Sequence, residues 1–165
     1  MVQSFLVRTE IQKRWVAKFK QVEDIFKQRA AENDIQGQFP FENIKWLVDE
    51  GYTKLTLPKE YGGEGATIED MVILQSYLGA IDGATALSIG WHLSVVGQLY
   101  EQNMWEQSML NTFANEIVNG ALVNRAVSEA ETGSPTRGGR PGTHAVKEDN
   151  GYVLNGVKTF TSMSK

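Results

Sequence analysis

The side chains with the most chemical promise lie beyond residue 120. The segment SEAETGSPTRGG, residues 128–139, gathers the hydroxyls of Ser128, Thr132 and Ser134 with the backbone N–H groups of Gly133 and Ser134. Consecutive N–H groups and hydroxyls in a turn can receive the carbonyls or phosphates of a ligand. The same composition also makes an ordinary polar surface loop, and both readings stand on composition alone. Further on, Phe160 and Ser162 share one face if the stretch VKTFTS is a strand, because side chains alternate with a period of two. An aromatic ring beside a hydroxyl suits a flat heteroaromatic ligand that needs stacking and one hydrogen bond; a core phenylalanine beside a surface serine is the plain alternative. His92, between Trp91 and Leu93 in an apolar stretch, reads either as a buried histidine bonded to a backbone carbonyl or as a general base. Glu129 has Arg125 and Arg137 as candidate ion-pair partners.

The elements that must position these residues follow from periodicity and punctuation. From Ser4 to about Asn33, apolar residues including Trp15, Phe19, Val22 and Phe26 recur at three- and four-residue steps, which predicts a long amphipathic helix. Pro40 marks the start of a second, short helix, and Gly51 stands where a left-handed C-cap belongs. TLPKEYGGEGA then reads as an ordered turn. Thr67 and Asp70 form an acidic variant of the capping box and open a third helix through Leu78. Asp82 caps a fourth, apolar almost all round and so expected to be buried, with Gly90 and Gly97 allowing close packing. A fifth is expected over Trp105 to Ile117. After Gly120 the pattern changes. ALVNRAVSE looks like a buried strand, THAVKE alternates, and Asn155-Gly156 predicts a tight hairpin turn whose second strand runs to Ser162. The expected fold is therefore mainly α: a helical bundle over residues 1–120, followed over residues 121–165 by the first strands of a β domain.

Composition removes several classes of function. The chain has 165 residues and a formal net charge of −4, and it has no cluster of Lys and Arg interleaved with aromatics for a nucleic acid backbone. With no cysteine, disulfides, thiolate metal sites and cysteine nucleophiles drop out, and His92 and His144 are too far apart for a zinc motif. No stretch approaches the roughly 18 apolar residues of a membrane span. The first residues lack the pattern of a signal peptide, so a soluble, cytoplasmic protein is expected.

Three stretches resemble the acyl-CoA dehydrogenase family. FPFENIKWLVDEGYTKLTLPKEYGGEGATIED is similar to its helix followed by an L-x-x-P-x-E-Y-G-G-x-G turn, AVSEAETGS to its A-x-[ST]-E-P-x-x-G-S segment, and GYVLNGVKTFTS to Y-x-[LI]-N-G-x-K-x-[WF]-[IT]-[ST]. Together they span residues 39–162. The resemblance implies a helical N-terminal domain, the opening of a β-barrel middle domain, and FAD as cofactor, with FMN as the alternative. It implies α,β-dehydrogenation of an acyl-CoA thioester, hydride transfer to the flavin, electron-transfer flavoprotein or oxygen as acceptor, and assembly into a homo-oligomer.

By the same resemblance Val127 and Ser128 lie along the flavin ring, Gly133 and Ser134 near the cofactor and the acyl-CoA, Phe160 against the isoalloxazine, and Ser162 as a donor to it. The glutamate base of the family is expected outside this chain, so no catalytic residue is assigned within it and the chain by itself is expected to be inactive, a structural or interaction fragment. Ala130 and Pro135 depart from the family's proline and aspartate, and TRGGRPG adds Arg137 and Arg140, which are in reach of a coenzyme A phosphate or simply solvated. Some relatives of this fold are flavin-dependent monooxygenases, and in that alternative His92 is catalytic.

Overall fold

A computed structural model describes residues 6–132, 138 and 140–164. The chain divides into two compact units, Met1–Val123 and Asn124–Lys165. The described residues of the first unit form helices α1 (Glu10–Gln36), α2 (Phe41–Asp49), α3 (Ile68–Ile81), α4 (Gly83–Gln102) and α5 (Gln107–Val118), with short 3₁₀ turns at Tyr52–Lys54 and Lys59–Tyr61. The second holds one antiparallel pair, β1 (His144–Glu148) and β2 (Gly151–Asn155). This mainly helical architecture with a terminal β element is the expected fold class.

Local chemistry sets the helix limits. The first helix starts at Glu10 rather than near Ser4, because Thr9 accepts the Gln12 N–H at 3.2 Å while Gln12 Oε1 accepts the Thr9 N–H at 3.2 Å. That reciprocal cap fixes the first turn. Gln12 is fully buried and donates through Nε2 to Asp70 Oδ1 at 2.8 Å, and the Thr9 hydroxyl donates to the same oxygen at 2.7 Å. Asp70 is at the same time the N3 residue of the capping box that opens α3, accepting the N–H and hydroxyl of Thr67 at 3.0 and 2.9 Å. One carboxylate thus serves the N-termini of two helices, where the helix dipole also favours negative charge. Desolvation works to raise its pKa, but the bonds from Thr9, Thr67 and Gln12 prevail and hold it below its ordinary value.

Asp82 caps α4 by accepting the N–H groups of Ala84 and Thr85 at 3.0 and 3.2 Å, and it receives Asn43 Nδ2 from α2 at 2.9 Å. Trp15, Phe19 and Phe26 of α1 form the buried aromatic row. Tyr52 crosses it edge-on, 4.7 Å from Trp15 and 5.4 Å from Phe19 between ring centroids, the geometry aromatic quadrupoles prefer. Gly51 closes α2 with φ of 80°, as a left-handed cap requires.

Three expectations need correction. The fourth helix is not buried all round: Leu87 and Trp91 face outward, 65% and 49% exposed, while Ile89, His92, Leu93 and Val96 form the inner stripe. The hairpin turn is Asp149-Asn150, between Glu148 and Gly151, and not Asn155-Gly156, because Asn155 is itself paired with His144. Of the expected strand over 121–129 only Glu129 makes a β-bridge, and the chain from 156 to 162 is not a regular strand either. The shared-face argument for Phe160 and Ser162 therefore loses its geometric premise.

Candidate functional site

The two motif-bearing segments of the second unit run side by side in opposite directions. Asn124 Nδ2 donates to the Ser162 carbonyl at 3.0 Å, and the Thr159 N–H donates to the Ser128 carbonyl at 2.9 Å. Val127, Ser128, Phe160 and Ser162 are thereby brought onto adjoining stretches of backbone. Gly133 and Ser134 lie outside the described residues, as does Arg137.

The segments are fastened by a carboxylate with a partner, Lys158, that sequence reasoning did not consider. Glu129 is 7% exposed and pairs with Lys158, whose Nζ lies 2.6 Å from Oε1. Its remaining lone pairs accept the N–H groups of Thr143 at 3.0 Å and Gly142 at 2.6 Å and the Thr132 hydroxyl at 3.0 Å. The Lys158 ammonium foremost, with Thr143 and Gly142 behind it, holds the Glu129 carboxyl far below the usual carboxylate range. Lys158 also reaches the Val127 carbonyl at 3.5 Å. Nothing in the residue types marks a pair 29 positions apart; only the alignment of two motifs side by side could have found it.

Phe160 is the anomaly of this unit. Its ring is 94% exposed and its backbone takes φ of 56°, a left-handed conformation that a bulky residue adopts at a cost of about 1–3 kcal/mol. An aromatic residue that is both strained and uncovered contributes nothing visible to the unit's own packing. Nearby, the hydroxyls of Thr143 and Thr159 are buried without a hydrogen-bond partner among the described residues.

His92, in the first unit, is completely buried. Its Nε2 lies 2.9 Å from the Thr53 carbonyl and its Nδ1 accepts the Val123 N–H at 3.0 Å, which assigns the neutral Nε2–H tautomer. Burial, opposed by the Thr53 bond, lowers its pKa and keeps the ring uncharged. Both nitrogens are bonded to backbone, as in a histidine held within a core. The same unit carries a groove of about 700 Å³, lined by Thr56, Pro58 and Gly65 of the glycine-rich turn motif and by Leu93, Gly97 and Tyr100 of α4. Among the described residues no three His, Asp or Glu side chains converge as a metal site, and no helix is long and apolar enough to cross a membrane.

Comparison with known proteins places these observations. Residues 9–107 match the family model for the acyl-CoA dehydrogenase N-terminal domain. The chain is 52% identical over 162 residues, 98% of its length and 42% of the relative's, to YdbM of Bacillus subtilis (strain 168), whose own assignment as an acyl-CoA dehydrogenase is provisional. It is 30% identical over 93% of its length to the acryloyl-CoA reductase (NADH) of Anaerotignum propionicum, covering 38% of that protein. Among solved structures, nitrososynthase from Micromonospora carbonacea var. africana superposes with a TM-score of 0.79 at 26% identity, covering 95% of this chain and 40% of that one. The chain thus spans about two fifths of the length of the relatives it matches. With a family model covering more than half of its residues and a 52% identical relative matched along nearly all of it, the chain belongs to the acyl-CoA dehydrogenase family.

Proposed function

We propose that this chain is part of a flavin-dependent oxidoreductase that removes hydrogen across the α,β bond of an acyl-CoA thioester and passes a hydride to FAD. The observation that carries the flavin assignment is Phe160, an exposed and strained aromatic held beside Val127 and Ser128. A ring system stacked there recovers apolar burial that the second unit leaves unused, and the Ser128 and Ser162 hydroxyls supply the polar contacts a heteroaromatic ring needs. These residues fit a flavin: Phe160 and Val127 hold the ring plane, and Ser128 and Ser162 orient its polar edge. The bound flavin supplies the hydride acceptor.

Gly133 and Ser134 remain the candidates for contact with cofactor and acyl-CoA through N–H and hydroxyl. No proton-removing base is assigned among the described residues, and the base belongs to the portion of the protein this chain does not span. Electron-transfer flavoprotein or oxygen completes the turnover, in an enzyme of fatty acid metabolism that assembles as a homo-oligomer in the cytoplasm. The two nitrogens of His92 are both in use, which weighs against a monooxygenase that relies on this side chain.

The test is the visible spectrum of the purified full-length protein. A yellow protein whose flavin bleaches under an acyl-CoA without oxygen supports the reading. A flavin bleached only by an external reductase overturns the dehydrogenase, and a colourless protein that takes up neither FAD nor FMN overturns the flavin site.

A further inference from the structure

We propose that Glu129 and Lys158 act as a positioning clamp that sets the placement of Val127–Ser128 and of Phe160 against the flavin. The proposal rests on the flavin reading above and adds residues that do not themselves touch the ring.

Among the described residues neither the segment from 121 to 128 nor that from 156 to 162 forms a regular strand, and Glu129 makes an isolated β-bridge. Two hydrogen bonds link these segments directly, Thr159 N–H to the Ser128 carbonyl and Asn124 Nδ2 to the Ser162 carbonyl. The ion pair between Glu129 and Lys158 adds the charged fastening, and each partner sits close in sequence to the residues concerned: Glu129 follows Ser128, and Lys158 lies two positions before Phe160.

The pair is built into the unit rather than laid on it. Glu129 is nearly buried, and both of its oxygens are occupied by donors from three places: Thr132 at the start of the loop, Gly142 and Thr143 at its return, and Lys158 from the neighbouring segment. Each donor is directed at a full negative charge, which makes the bonds short and directional. Lys158 adds its contact with the Val127 carbonyl, so its ammonium meets the backbone just before Ser128 and the carboxylate just after it. Exposed ion pairs contribute little, but removing one partner of a desolvated pair leaves the other uncompensated. The neighbouring backbone is free to shift when that happens.

The experiment uses the full-length protein, stripped of cofactor and titrated with FAD, for wild type and for Glu129→Gln, Lys158→Met, Lys158→Arg and Phe160→Ala. Three quantities are read: FAD affinity, the visible spectrum of the bound flavin, and amide hydrogen exchange at Gly142 and Thr143. Glu129→Gln and Lys158→Met are expected to weaken FAD binding by roughly tenfold each, the scale seen when a group that orients a ligand-holding residue is lost. They are also expected to shift the flavin spectrum, and the double variant should be no worse than either single one, as for two halves of one interaction. Lys158→Arg keeps the cation and is expected to retain most of the affinity; it also provides the comparison with Lys158→Met if Glu129→Gln fails to fold. Faster exchange at Gly142 and Thr143 with unchanged FAD affinity and spectrum overturns the clamp, because the pair is then only structural. Phe160→Ala weakening FAD while Glu129→Gln and Lys158→Met do not overturns the clamp alone. A wild type that takes up no flavin overturns the functional reading and the clamp with it.

Discussion

Replacing His92 by leucine separates a core histidine from a catalytic one. Leucine fills much of the same apolar space but leaves the Thr53 carbonyl and the Val123 N–H, both now bonded to the ring, without partners. Orphaning a buried polar backbone group costs about 1–3 kcal/mol, so the two together set an expected loss of about 3 kcal/mol at pH 7.5. With a urea slope of about 2 kcal/mol/M for a domain of this size, the unfolding midpoint should fall by roughly 1.5 M.

The penalty should also depend on pH, because burial lowers the pKa of His92 from its ordinary value of 6.5. Above 6.5 the ring is neutral in folded and unfolded chains alike. Below it the unfolded chain takes up a proton first, so the wild type loses stability as pH falls from 6.5 through the lower folded value, and the leucine variant does not. The gap between the two proteins should therefore narrow from pH 7.5 to 5.5 in parallel urea titrations. A gap that starts below about 1 kcal/mol, or that stays constant over this range, refutes the assignment. So does a variant of unchanged stability that has lost its activity, the signature of a catalytic base.

Other expectations can be checked with the same measurements. Asp70→Asn should cost about 2 kcal/mol at neutral pH, since it weakens charge-assisted bonds at two helix starts. Because the folded pKa lies below 3.8, this contribution is present above that value and lost as pH falls through the folded one, so the variant and wild type should converge in acid. Gly63→Ala should cost about 3 kcal/mol in thermal or urea unfolding, as the added Cβ would stand 2.0 Å from the Leu57 carbonyl oxygen, a backbone atom that cannot step aside. Gly156→Ala combines φ of 152° with a Cβ only 2.6 Å from Thr143 Cα, and it should speed amide exchange across β1 and β2. In the full-length protein, Phe160→Ala and Ser162→Ala should each reduce flavin occupancy, read from the ratio of visible to protein absorbance; full occupancy in both would count against the site.

What the sequence made legible was mostly local. Thr67 with Asp70, Asp82 before α4, Pro40 before α2 and Gly51 after it all act within a few residues, and each stands where the pattern put it. The start of α1 was misplaced because apolar spacing ran on upstream while the true stop signal, Thr9 with Gln12, uses a glutamine whose capping role is easily passed over. The hairpin turn was misplaced for a related reason. Asn155-Gly156 and Asp149-Asn150 both offer residues tolerant of left-handed backbone, and the register that pairs Val146 with Val153 decides between them. The outward face of α4 was invisible because Leu87 and Trp91 look no different in sequence from Ile89 and Leu93. At the candidate site, residue types pointed to Ser128 and Phe160, but the Glu129–Lys158 pair depends on which distant segments meet, and a single sequence does not record that.

Glu129 also has a consequence for how the protein can change. The chain leaves this carboxylate through Thr132 and comes back to it at Gly142, 13 positions later, so departure and return are tied to one anchor. Closing a longer excursion costs little, about 0.6 kcal/mol for each doubling of its length. By loop-closure entropy alone, added length between those two contacts is a small charge on stability, so the residues proposed to meet cofactor and acyl-CoA there, Gly133 and Ser134, and not the closure itself, limit where an insertion can go. An insertion beside Arg140, just before the return at Gly142, lengthens the excursion while leaving both ends on the same anchor.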